Sequence, residues 1–122
     1  MGVGYAADDD AISRSNVANY MNCGAASSSI DFWGYNIYEW CSPSTYTTSG
    51  YDQRTAEFSN YSVPTFFAEY GCNVVNGVNN VPAQRTWEEV GSLFGPNMNG
   101  VFSGGIAYEY FEDTNEYGKL WF

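Results

Sequence analysis

Short runs of apolar residues alternate along this chain with segments whose apolar positions recur at helical spacing. Residues 2–6 read as a short strand. Asp8, Asp9 and Asp10 follow, and carboxylates there can cap a helix and favour its positive N-terminus. Ile12, Val17, Tyr20 and Met21 then recur with a helical period over 11–21, with Gly24 as a stop. After a Ser-rich loop at 25–29, residues 31–38 form a near-continuous aromatic and apolar run, the pattern of a strand buried on both faces. A Ser/Thr/Gly/Pro-rich stretch, 42–50, leads to a short helix near 52–59, and 64–69 is the next buried strand. A loop at 73–81 precedes a helix at 84–94, and 101–111 closes as a fourth strand.

Strand and helix in strict alternation imply a parallel α/β sheet. No G-x-G-x-x-G follows the first strand, which argues against a dinucleotide-binding fold. Acidic residues gather instead just after the strand ends: Asp8 to Asp10, Glu39, Glu69, Glu109, Glu112 and Asp113. Chemistry at the C-terminal ends of parallel strands is the habit of a TIM barrel, which runs to about 250 residues when whole. The expected fold is therefore a partial (β/α)8 barrel of four β/α units, with residues 1–122 as one unit. The opening residues lack the basic and apolar regions of a secretory signal and read as a strand end running into an acidic turn. The expectation is that the barrel's earlier strands lie before Met1.

Composition narrows the chemistry. Four Lys and Arg against fourteen Asp and Glu give a net charge of −10, which disfavours nucleic acid and anionic membranes as partners and tolerates a neutral glycan. With no His in the chain, Ser-His-Asp and Cys-His catalysis are excluded within it, and the commonest zinc ligand is missing. Cys23, Cys41 and Cys72 form no C-x-x-C pair, so no metal site is expected; they read as buried thiols or as one disulfide with an odd Cys. Aromatic residues make up 19% of the chain, and Tyr and Trp can serve either as core filler or as platforms for sugar rings.

Carboxylates are the residues left to do chemistry. Glu69 ends a largely apolar strand and is followed by Tyr-Gly-Cys, so it reads as a site carboxylate at a barrel rim or as an ordinary solvated strand end. Gly71 beside it allows a ligand to approach the backbone closely. Glu39 is the rival, because it too follows a buried strand. Side chains alternate along a strand, so only one of Tyr38 and Glu39 can face the same site as Glu69. Asn60-Tyr-Ser is an N-glycosylation sequon just before the Glu69 strand.

Several longer strings stand in order along the chain: Tyr-Met-Asn-Cys-Gly (20–24), Asp-Phe-Trp-Gly-Tyr-Asn-Ile-Tyr-Glu-Trp-Cys (31–41), Arg-Thr-Ala-Glu-Phe (54–58), Phe-Phe-Ala-Glu-Tyr-Gly-Cys-Asn (66–73) and Phe-Ser-Gly-Gly-Ile-Ala-Tyr (102–108). Together they resemble the later half of the catalytic barrel of fungal β-1,3-glucanosyltransferases, glycoside hydrolase family 72. The resemblance covers nearly the whole chain.

That resemblance implies a retaining transglycosylase needing no cofactor, with β-1,3-glucan chains as donor and acceptor. It assigns Glu69 as the nucleophile on the seventh barrel strand, and Tyr38 and Tyr108 as cleft tyrosines that bind substrate. It pairs Cys41 with Cys72 and leaves Cys23 to a partner beyond Phe122. The general acid/base Glu belongs upstream of Met1, and neither Glu39 nor Glu109 replaces it. The loop at 73–87 is longer than the family's usual connection, and Glu109 stands where an apolar residue is expected. An extracellular, cell-wall protein held by a lipid anchor outside these residues is also implied. The other reading is a glucan-binding or wall-structural module on the same cleft, without turnover.

Overall fold

In the computed structural model, residues 1–73, 85–111 and 113–118 are described. Four strands, β1 (Gly4–Ala7), β2 (Phe32–Ile37), β3 (Thr65–Tyr70) and β4 (Phe102–Ala107), alternate with three helices, α1 (Arg14–Met21), α2 (Tyr51–Phe58) and α3 (Glu89–Leu93). The sheet runs β1-β2-β3-β4 with every neighbouring pair parallel. This is the half-barrel order expected of consecutive β/α units.

One face of the sheet carries the core. Trp33, Tyr35 and Ile37 of β2, Thr65, Phe67 and Tyr70 of β3, and Phe102 of β4 are all buried, with Ala18, Tyr51, Phe58 and Leu93 supplied by the helices. Tyr35 packs on Phe58 at 5.1 Å and Phe67 on Phe102 at 4.9 Å between ring centroids. Such ring pairs add attraction beyond the area they bury. The expectation that residues 31–38 are buried on both faces holds only in part: Phe32 is exposed and Asn36 half-buried.

Three element boundaries differ from the sequence reading by three residues or more, each for a local reason. α1 begins at Arg14 because residues 11–13 form a turn, in which the Asp10 carbonyl accepts the Ser13 and Arg14 N–H groups and its carboxylate accepts the Ser13 hydroxyl. Asp10 thus caps a turn, while Ser13 at the helix N-cap makes no side-chain cap bond. α3 is confined to Glu89–Leu93; Trp87 has φ of 53°, a left-handed conformation that a helix cannot contain, and Gln84 lies outside the described residues. β4 ends at Ala107, four residues short of the expected 111, where the chain turns away from the sheet.

Against β2, the register of β3 is interrupted once. Tyr35 pairs with Phe67, yet the next residue, Asn36, pairs with Glu69, so Ala68 is an extra residue opposite β2. A bulge of this kind restarts the alternation of faces one residue late.

Gly105 of β4 lies where the Tyr70 ring crosses the sheet; a Cβ there would stand 2.8 Å from that ring and 3.0 Å from Leu93. Gly105→Ala is expected to destabilise the chain by about 1–3 kcal/mol through overpacking, read as a lowered urea midpoint at unchanged m-value.

Candidate active site

The bulge places Glu69. Without it, Glu69 would pair with Ile37 and enter the aromatic core; with it, Glu69 shares a face with Asn36 and Tyr38, and Tyr70 takes the core position beside Ile37. The Tyr38 hydroxyl donates a hydrogen bond to Glu69 Oε2. Burial first, and then this bond to a carboxylate, push the Tyr38 pKa upward, so the phenol stays protonated and remains a donor. The sequence argument that only one of Tyr38 and Glu39 could face Glu69 is met by Tyr38.

Two further rings close the cleft. Tyr108 stands just past β4, with its ring edge-on to Tyr38 at 6.4 Å between centroids. Tyr117 lies 5.0 Å from Tyr38 and 5.6 Å from Tyr108. The structure therefore brings Glu69, Tyr38 and Tyr108 together and adds Tyr117, which the sequence reading missed. Tyr117 sits in a return segment with no periodicity to mark it. The tyrosine of Asn-Glu-Tyr-Gly (115–118) was the available signal, and it carried no assigned role.

Gly71 serves a different purpose from the one expected. A Cβ there would stand 2.3 Å from the Tyr108 carbonyl oxygen and 2.9 Å from Arg85 Nη1. The close approach is made by the protein's own backbone and guanidinium, which occupy that space.

Glu39 points to the helix side. It lies 3.9 Å from Arg14 and 3.9 Å from Arg54, in a cluster where Arg14 also pairs with Asp9 and Glu57, and Arg54 with Glu57. Arg14 itself is only 4% exposed. Burial, then repulsion from Asp9, push the Glu39 pKa up to about 7 against the pull of Arg14. Glu109 is also turned from the cleft: it lines a cavity of about 340 Å³ with Tyr70, Trp87, Val90, Ala107 and Tyr110. Neither carboxylate stands beside Glu69.

Cys41 and Cys72 form a disulfide with Cα atoms 5.3 Å apart, tying the segment after β2 to the one after β3 beside the cleft. Cys23 is a free, exposed thiol past the end of α1. Asn60 is exposed in the turn between α2 and β3, at the sheet edge opposite Glu69.

Consecutive parallel β/α units with a carboxylate and tyrosines at the C-terminal edge of the strands define part of a (β/α)8 barrel. The chain belongs to the glucanosyltransferase family, whose family model matches residues 1–121. It is 52% identical over 120 residues to a 1,3-beta-glucanosyltransferase of Arthroderma benhamiae, covering 98% of this chain and 21% of that protein. It is 51% identical over 118 residues to the 1,3-beta-glucanosyltransferase GAS2 of Saccharomyces cerevisiae, covering 97% of this chain and 20% of that protein. Among solved structures, a mutant of Saccharomyces cerevisiae Gas2p in complex with laminaritetraose and laminaripentaose superposes with a TM-score of 0.85 at 50% identity, covering 97% of this chain and 25% of that one. The chain thus spans about a fifth of the length of these curated relatives.

Two measurements follow from this geometry. An unfolded Glu titrates near 4.5 and folded Glu39 near 7, so the folded state binds the extra proton between those values. The stabilisation this gives is complete below about pH 4.5 and is lost as pH rises through 7. Glu39→Gln is expected to flatten the fall in thermal midpoint between pH 5 and pH 8; an unchanged profile would contradict the assignment. The Cys41–Cys72 bridge closes a loop with sequence separation 31. Reducing it is expected to cost roughly 3–4 kcal/mol on the chain-entropy account, measured as urea stability with and without reductant.

Proposed function

We propose that this chain supplies the nucleophile side of a retaining β-1,3-glucan transfer site, with Glu69 as the nucleophile and Tyr38, Tyr108 and Tyr117 as the walls that seat the sugar. The observation that carries the reading is the Tyr38 hydroxyl held on the Glu69 carboxylate at the C-terminal end of β3, inside a cleft of three tyrosines. The laminari-oligosaccharides bound by the similar Gas2p structure support β-1,3-glucan as the substrate class.

The chemistry is double displacement. A Glu69 oxygen attacks the anomeric carbon, the glycosidic C–O bond breaks, and the leaving oxygen takes a proton from an acid. The glycosyl ester on Glu69 is then attacked by a hydroxyl of an acceptor glucan, which gives its proton back to the same group and frees Glu69. Transfer instead of hydrolysis requires the acceptor sugar to displace water, and aromatic walls favour a sugar's apolar face over water. Tyr38 fixes which Glu69 oxygen is free to attack, because its phenol occupies the other.

The acid/base is assigned to no described residue of this chain, so the 122 residues alone are expected to bind and not to elongate. The exposed sequon at Asn60 and the Cys41–Cys72 disulfide support a secreted setting, and the family likeness supports the fungal cell wall as its place.

Titrating the chain with laminaripentaose is expected to shift the ring resonances of Tyr38, Tyr108 and Tyr117. No shift with any laminari-oligosaccharide would sink the substrate assignment. No elongated products are expected from the chain alone. Elongation that vanishes in Glu69→Gln would instead show that a second carboxyl acts within it. In a protein of the relatives' length carrying this segment, Glu69→Gln is expected to lower transfer by a factor on the order of 10⁴ or more, assayed by oligosaccharide product analysis. Persistent binding without any turnover there would favour a glucan-binding module.

A further inference from the structure

We propose that Arg85 is a positioning residue for the tyrosine wall: its guanidinium ties the end of β4 to the return segment 113–118 and so sets Tyr108 and Tyr117 against Tyr38 and Glu69. What the wall serves rests on the function proposed above; the tie itself rests on geometry.

Arg85 is 8% exposed, and its Nη1 donates to the carbonyl oxygens of both Tyr108, at 3.2 Å, and Tyr117, at 3.1 Å. These carbonyls belong to separate segments, one leaving the sheet and one returning to it. The Tyr117 carbonyl also accepts the Glu109 N–H at 3.2 Å, so a single oxygen joins the return segment to the strand end and to the guanidinium. Bonds from an ionised donor are stronger than neutral ones, and these are shielded from water.

The surroundings are arranged for this guanidinium. Its carbon sits 4.6 Å from the centre of the Trp87 ring, and Trp87 holds a left-handed φ of 53° that is costly for a bulky residue. Gly71 leaves the space in which Nη1 and the Tyr108 carbonyl meet. From the other side, the Asn115 amide donates to the Tyr108 hydroxyl at 3.1 Å, and its oxygen accepts the Tyr117 N–H at 3.4 Å. Tyr117 belongs to no strand or helix, so its place beside Tyr38 depends on these bonds. A planar guanidinium can lie over an indole while one of its nitrogens donates to two carbonyls.

The test compares wild type with Arg85→Met in the 122-residue chain, by amide hydrogen exchange and by laminaritetraose titration. The Glu109 amide is expected to exchange about tenfold faster or more in the variant, while the amides of Trp33, Tyr35 and Phe67 keep their protection. Laminaritetraose affinity is expected to fall about tenfold. Unchanged Glu109 exchange, or protection lost equally across the sheet, overturns the tie. A loosened Glu109 with unchanged affinity overturns the positioning role. Should Arg85→Met not fold, Arg85→Gln, too short to reach both carbonyls, decides: faster exchange confined to Glu109 and its neighbours is expected, and wild-type exchange overturns the tie. Wild-type chain with no affinity for laminaritetraose defeats the functional reading, while the exchange comparison still decides the tie.

Discussion

The one-residue bulge at Ala68 is the constraint on which the site depends. β3 must hold Phe67 and Tyr70 against the aromatic core and also present Glu69 to the opposite face. Strict alternation allows Phe67 and Glu69 to share a face, or Glu69 and Tyr70 to be opposed, but it cannot put Phe67 and Tyr70 together on one side. Inserting Ala68 resolves the conflict. Tyr70 returns to the core next to Ile37, and Glu69 faces outward beside Asn36 and Tyr38. A buried carboxylate among rings would be expensive, so packing and chemistry select the same register.

Charge is divided between the two faces in the same way. The ion pairs among the described residues join Arg14 and Arg54 to Asp9, Glu39 and Glu57 on the helix side, where three acidic groups share two cations. Burial first, and then this excess of acidic neighbours, raise the Glu39 pKa. The cluster anchors the chain directly after Tyr38. It holds the strand end on one side while Tyr38 works on the other.

Much of this was legible in the sequence because periodicity and residue type agreed. The strand over 31–38 and the strand ending in Glu69 were marked by dense aromatic runs, and the opposition of Tyr38 to Glu39 follows from alternation alone. The bulge was not legible: Phe-Phe-Ala-Glu-Tyr reads equally well as an unbroken strand, and only pairing with β2 reveals the extra residue. The helix expected over 84–94 is short at its start for a related reason. Arg85 and Trp87 suit a helix by propensity, yet their side chains are committed to the strand end, and tertiary contacts override a weak local preference. Tyr117 escaped notice because its position is set by contacts distant in sequence, with Arg85, Glu109 and Asn115.

The cleft orients its carboxylate with a phenol instead of a cation, and this matters for the nucleophile role proposed for Glu69. A guanidinium paired directly with Glu69 would fix it firmly but would also draw off the electron density that the proposed role has it offer to an anomeric carbon. A neutral hydroxyl fixes the rotamer through one oxygen and leaves the other less encumbered. The raised Tyr38 pKa keeps that phenol protonated and able to donate. Among the described residues, the cation nearest the wall, Arg85, donates to the backbone carbonyls of Tyr108 and Tyr117. Its charge shapes the cleft from behind, and the carboxylate is left to the tyrosines.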